Sequence, residues 1–168
     1  MWMFKVILSS HVSFTNLKCE SIDREFGNFE ICRIKAVNRS HKYIDLEFKI
    51  TKLPLNEMVI KVEPMRYNNG YRPVLSTMKV DFCKYMKNPN ARSSFLLKEF
   101  HATFINSTNL NHTCPYNNDI SIKKLWTGNL EKGFLQYLPV PHGDYVIHTT
   151  WYSRNIRRVK VSTFFKIT

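Results

Sequence analysis

The sequence predicts an all-β protein: an antiparallel β-sandwich of about eight strands, with one helical insertion between Cys83 and Cys114. Three observations lead there. Most of the chain runs in short stretches where apolar and polar residues alternate, each bounded by turn residues, as in strands with one buried face. The only convincing helical spacing of apolar residues lies between those two cysteines, at Phe95, Leu96, Phe100, Phe104 and Ile105. The cysteine count is four, an even number that admits a disulfide framework.

The elements follow in chain order. Phe14 to Ile22 reads as a strand, Glu25-Phe26-Gly27-Asn28 as a turn, and Phe29 to Val37 as a second strand. On the second, Phe29, Ile31 and Arg33 share one face, and Cys32, Ile34 and Ala36 the other. Cys19 and Cys32 lie almost symmetrically about the turn. In a hairpin they would stand nearly opposite, within reach of a disulfide. Tyr43 to Thr51 alternates cleanly, with Ile44, Leu46, Phe48 and Ile50 inward. Met58 to Val62 gives the next strand, Asn68-Asn69-Gly70 a turn, and Tyr71 to Phe82 one further strand running into Cys83. Pro89 fits just ahead of the helical segment, and Ser93 or Ser94 is placed to cap it. Asp119 to Trp126 reads as a strand with Ile120, Ile122 and Lys124 on one face and Ser121, Lys123 and Leu125 on the other. Phe134 to Val140 is apolar and is broken by prolines; Pro141-His142-Gly143-Asp144 is a turn. Tyr145 to Tyr152 and Val159 to Ile167 close the fold. Tyr145, Ile147, Thr149 and Trp151 share a face on the first, as do Val159, Val161, Thr163 and Phe165 on the second.

At 168 residues the chain is long enough for one domain with a core of its own. Residues 14–168 are expected to form it. Residues 1–13 are set aside as a truncated signal peptide or N-terminal extension: Met1 to Ser10 is apolar, but Lys5 interrupts it and it is short for a leader. No apolar run approaches the length of a membrane span. Three N-glycosylation acceptors, at Asn38, Asn106 and Asn111, accompany the cysteines. Together they favour the secretory route, where disulfides persist. The preferred pairing is Cys19 with Cys32 and Cys83 with Cys114; connectivity cannot be read from spacing, so the rival pairings stay open.

The chemistry of catalysis is not written in the chain. Six histidines are scattered, and none forms a metal-binding spacing with cysteine or glutamate. There is no Gly-x-Ser-x-Gly elbow and no phosphate-binding glycine loop. Asp81 and Asp144 have no acidic partner in sequence. A Cys83–His112 nucleophile pair loses to the disulfide, since the other cysteines and the sequons point the same way. No enzyme activity, metal or cofactor is expected.

The formal net charge of +12 attracts polyanions without choosing among them. Its densest cluster is Arg154, Arg157, Arg158 and Lys160, flanked by Trp151, Tyr152 and Phe164. Those aromatics keep a strand rhythm, so core packing accounts for most of them, and no nucleic-acid-binding motif is present. A solvated hairpin tip explains the cluster better than nucleic acid does. The aromatic inner faces can close into a packed core or hold a cavity. Periodicity does not separate these, and composition alone favours the packed core.

Several pieces, in order, resemble a known family. These are Phe14-Thr15-Asn16-Leu17-Lys18-Cys19, Phe29-x-x-Cys32, Tyr67-Asn68-Asn69-Gly70-Tyr71-Arg72-Pro73, Val80-Asp81-Phe82-Cys83, Cys114-Pro115 and Pro141-x-Gly143-x-Tyr145. The chain resembles the insect-expanded secreted family of domain of unknown function 1091. That family is in turn distantly similar to ML-type lipid-recognition and ganglioside-activator-like proteins. The resemblance implies an immunoglobulin-like sandwich that holds a lipid or other hydrophobic small molecule between its sheets, outside the cell and without catalysis. Some insect relatives are associated with chemosensory and pheromone-related signalling. On this reading Phe48, Phe82, Phe95, Phe100, Phe104 and Trp151 line the pocket. The alternative is a basic extracellular interaction module with a filled core, binding a receptor or sulfated glycan through Arg154, Arg157, Arg158 and Lys160.

Overall fold

The computed structural model describes residues 11–132 and 141–168. Of the segment 1–13 set aside as a leader or extension, residues 1–10 lie outside the described residues, and so does the whole apolar stretch 134–140. Among the described residues, nine strands form two antiparallel sheets. The larger sheet contains β1 (Val12–Ser21), β9 (Ile156–Ile167), β8 (Gly143–Ser153) and β4 (Val59–Tyr67), in that order. Two short strands, β5 (Tyr71–Pro73) and β6 (Met78–Asp81), both pair with β4. The smaller sheet has β2 (Gly27–Ala36), β3 (Lys42–Ile50) and β7 (Ile120–Trp126), with β3 in the centre. The protein is thus an all-β sandwich. The clearest alternation in the sequence sits on that central strand, where Ile44, Leu46, Phe48 and Ile50 are all buried.

The disulfides join Cys19 to Cys32 and Cys83 to Cys114. The first does not close a hairpin. β1 pairs with β9 and β2 with β3, so Cys19–Cys32 ties one sheet to the other. The chain changes sheets at the corner after Ser21. There the Ile22 and Asp23 amides donate to the Arg158 carbonyl, and the Phe26 amide donates to the Asp23 carbonyl. Two residues equidistant from such a corner face one another across the sandwich, much as they would across a hairpin. Proximity of the cysteines follows from both arrangements.

Two β-bulges reverse expected faces. On β2 the register shifts between Phe29 and Ile31, so Phe29 joins Cys32 and Ile34 on the inner side. On β7 the partner register shifts between Ile44 and Leu46, and Lys124 takes a positive φ of 49°. Leu125 is thereby turned inward on the same side as Ile122 and is buried, while Lys123 and Lys124 are both exposed. An extra residue inverts every side chain beyond it, which simple alternation cannot anticipate.

The expected strand from Tyr71 to Phe82 is also divided. Pro73 lacks an amide proton for the ladder, and pairing lapses until Met78. It then stops at Asp81, whose carboxylate accepts from the Lys84 amide at 3.0 Å and caps α1 (Phe82–Lys87). The helical insertion is therefore two short helices. α1 is followed by a single 3-10 turn at Arg92–Ser94 and then by α2 (Phe95–Ala102). Ser94 holds the N-cap position without a side-chain bond, and Ser93 lies inside the 3-10 turn. A third helix, α3 (Thr127–Lys132), follows β7 and was not expected from the sequence.

At the far end, β8 and β9 form a hairpin whose turn is Arg154-Asn155, both at positive φ. The expected basic hairpin tip is this turn.

Candidate ligand-binding site

The two sheets do not pack into contact everywhere. Between them lies a cavity of about 170 Å³. The larger sheet contributes Phe14 and Leu17 from β1, Ile60 from β4, Ile147, Thr149 and Trp151 from β8, and Val159, Val161, Thr163 and Phe165 from β9. Phe29, Ile44, Leu46, Phe48, Ile120, Ile122 and Leu125 of the smaller sheet face them. The helical insertion supplies a side wall of Phe82, Leu97, Phe100, Phe104 and Leu110, and α3 adds Leu130. Leu17, Phe29, Ile122, Ile147, Trp151 and Val161 point toward the opposite sheet yet stay only half-buried, because they border space rather than neighbours.

Each wall is built by its backbone. Period-two alternation directs every second residue of β8 and β9 inward, in the register Ile147–Thr163, Thr149–Val161 and Trp151–Val159. The side wall is held at both ends. Cys83 follows Phe82 and is bonded to Cys114, while Leu55 and Tyr116 exchange backbone hydrogen bonds at 2.8 and 3.0 Å. His101 stiffens it from within. It is 3% exposed, its Nε2 donates to the Leu110 carbonyl at 2.8 Å, and its Nδ1 faces the Tyr85 hydroxyl at 3.3 Å. The rings of Phe82, Phe104 and Tyr85 meet it edge-on. Burial pushes the His101 imidazole below its ordinary value, partly offset by the Leu110 bond. A neutral ring fits this apolar setting.

Among the described residues no charged side chain lines the cavity. Its polar groups are few and mostly committed. The Trp151 indole N–H donates to Thr149 Oγ1 at 3.0 Å, and that hydroxyl donates to the Val161 carbonyl at 3.2 Å. The Thr163 hydroxyl has no hydrogen-bond partner among the described residues. With no nucleophile, acid–base pair or cation at hand, the cavity can offer burial and shape. Among the described residues no cluster of His, Cys, Asp and Glu is arranged to hold a metal, and no helix is long and apolar enough to cross a membrane.

Of the six aromatics assigned to a pocket from the sequence, Phe48, Phe82, Phe100, Phe104 and Trp151 are brought together on its walls. Phe95 is not among them. It opens α2 on the outward side and is 54% exposed, while Leu97 and Phe100 take the inward positions. Sequence reasoning passed over Phe14, Leu17 and Leu130. Alternation sets Phe14 and Leu17, three residues apart, on opposite faces, and only the bulge between Phe14 and Asn16 brings both to the cavity.

The basic cluster separates into unlike members. Arg154 and Arg157 are exposed, and Lys160 is half-buried. Arg158 is 8% exposed and cannot belong to a surface patch. It donates to the Ser153 carbonyl at 3.2 Å, pairs with Asp23 and lies over the Phe26 ring at 4.5 Å. The Arg158 bond holds the Asp23 carboxyl below its usual range. Asn38, Asn106 and Asn111 are all exposed. Asn38 accepts from the Ser40 and His41 amides at 2.8 Å each. Asn106 and Asn111 border an open polar surface cleft.

No curated protein sequence matches this chain. Among solved structures, the crystal structure of a Niemann-Pick type C2 protein from Japanese carpenter ant is similar over 93% of this chain and 92% of that one. The identity is 12% and the TM-score 0.37, a likeness too slight to carry a functional argument. The sequence from residue 57 to 147, from just before β4 into β8, matches the family described as protein of unknown function (DUF1091), and the chain belongs to that family.

Proposed function

We propose that this protein is a secreted, non-catalytic carrier that holds a hydrophobic small molecule, or the hydrocarbon part of a lipid, between its two sheets. One observation carries the reading: among the described residues, the cavity between the sheets is walled almost entirely by aliphatic and aromatic side chains and bordered by no charge. Its size is that of a cavity admitting a benzene-sized group, roughly 150 Å³. It is smaller than the roughly 300–1,000 Å³ of drug-sized pockets. Affinity would come from burial, at about 0.8 kcal/mol per methylene before ordering costs. Two disulfides and three exposed acceptor asparagines support an extracellular setting. A role in chemosensory or pheromone-related signalling is the biological form of this proposal.

Native mass spectrometry of secreted, deglycosylated protein tests it. A native mass above the denatured, unreduced mass by a discrete small-molecule increment is the expected result. Equal masses, together with no binding of a hydrophobic fluorophore, would sink it.

A second reading rests on the exposed hairpin tip. Arg154 and Arg157, with Lys160 beside them, could engage a receptor or sulfated glycan. It needs no cavity. Heparin retention that falls when these three are neutralised, by more than the lost charge alone explains, would support it.

A further inference from the structure

The carrier reading leaves the ligand's chemistry open, and the cavity wall narrows it. Three facts bear on the choice. Among the described residues there is no charged side chain on the wall, so a buried carboxylate or ammonium would find no partner there and would pay its full desolvation cost. The indole N–H of Trp151 is turned to Thr149, and the Thr149 hydroxyl to the Val161 carbonyl, so neither donor is offered to a guest. Thr163 differs. It stands opposite Ile147 on β8 and Leu17 on β1, on the inner face, with a hydroxyl that no described residue engages. An uncommitted hydroxyl in an apolar enclosure is a polar group waiting for a partner.

We infer that the ligand is an uncharged, single-chain hydrocarbon bearing one neutral oxygen function (an alcohol, ketone or ester) and that the Thr163 hydroxyl bonds that oxygen. This rests on the carrier reading above. The volume admits a chain rather than a fused ring system. The Thr163 hydroxyl has one proton to donate, which suits one oxygen function and not several. Thr163 is therefore a specificity-determining residue: it sets which chains are preferred, while the apolar walls set how tightly any chain is held.

The test uses the whole secreted protein, stripped by organic extraction, and direct binding read by isothermal titration calorimetry. The ligands are 1-hexanol, methyl pentanoate, 1-heptene and hexanoate, compared in wild type, Thr163→Val and Thr163→Ser. Valine matches threonine in shape and suits a strand. Hexanol and the ester are expected to lose about fivefold relative to heptene in Thr163→Val, the worth of one neutral hydrogen bond. Thr163→Ser should keep the wild-type order, and hexanoate should be the weakest ligand throughout. Equal loss for heptene and hexanol in Thr163→Val, or hexanoate binding best, would overturn the assignment while leaving a hydrophobic carrier. If none of the four binds wild type at all, the carrier reading itself fails.

Discussion

Replacing Val161 by phenylalanine separates a hollow sandwich from a filled one by the sign of its effect. Val161 lies midway along β9, opposite Cys19 on β1 and Thr149 on β8, and its side chain borders the cavity. An empty cavity of about 170 Å³ costs roughly 4 kcal/mol at about 24 cal/mol per Å³. That is the most any filler could recover. The substitution adds four carbon atoms, worth at most about 3 kcal/mol if fully buried. Imperfect fit and lost ring freedom should leave a net gain of about 1–2 kcal/mol in ligand-stripped protein. In a filled core the same change is overpacking and costs about 1–3 kcal/mol. Urea unfolding of stripped protein reads the difference as a midpoint shift at unchanged slope. The expected result is a raised midpoint together with at least tenfold weaker binding of 1-hexanol. A lowered midpoint with binding intact would refute the hollow core and shift weight to the interaction module.

Three other outcomes follow from particular contacts. Cys83→Ala with Cys114→Ala opens a loop of 31 residues' separation. It should cost about 2–5 kcal/mol in urea unfolding, as loss of a native disulfide does in small secreted domains. Arg158→Ala should lower the thermal midpoint, since Asp23 and the Ser153 carbonyl lose their partner, whereas Arg154→Gln and Arg157→Gln should leave that midpoint unmoved and reduce heparin retention. A surface-like response of Arg158→Ala would contradict its burial. Stability should also fall on mild acidification. Burial pushes the His101 and His148 imidazoles below their ordinary value, with Lys160 adding to the effect at His148 and Glu63 opposing it. The unfolded chain then binds protons more readily. The stability these groups contribute is complete above about pH 6.5 and is lost as pH falls from there through their lowered folded values. A thermal midpoint flat between pH 7 and 5 would remove that claim.

How much of this was legible in the sequence depended on whether a feature is local. The inward row of β3 and those of β8 and β9 could be read directly, because period-two alternation is a property of neighbouring residues. Phe29 and Leu125 could not, because a bulge is set by the partner strand as much as by the strand that carries it. Phe95 looked like the first residue of an inward stripe, but on a helix of eight residues a stripe is too short to fix its own orientation. Arg158 looked like its exposed neighbours, since Asp23, the acid that engages it, is 135 residues away. The Cys19–Cys32 pairing was reached through a hairpin that does not exist. The void between the sheets left no trace in periodicity, which reports which way a side chain points and not how far away the next layer stands.

That void explains why the cross-links sit where they do. A sandwich that leaves its centre open forfeits about 4 kcal/mol of packing. In the chain-entropy account, closing loops of the sizes set by Cys19–Cys32 and Cys83–Cys114 contributes about 3 and about 3.7 kcal/mol. Either bond alone roughly offsets the missing contacts, and each acts on a different boundary of the space. Cys19–Cys32 joins the two sheets that form the broad walls, while Cys83–Cys114 fastens the helical side wall carrying Phe82, Phe100 and Phe104. A packed core would hold these walls by direct contact. A hollow one needs them held from the edges, and the chain has a covalent bond at both.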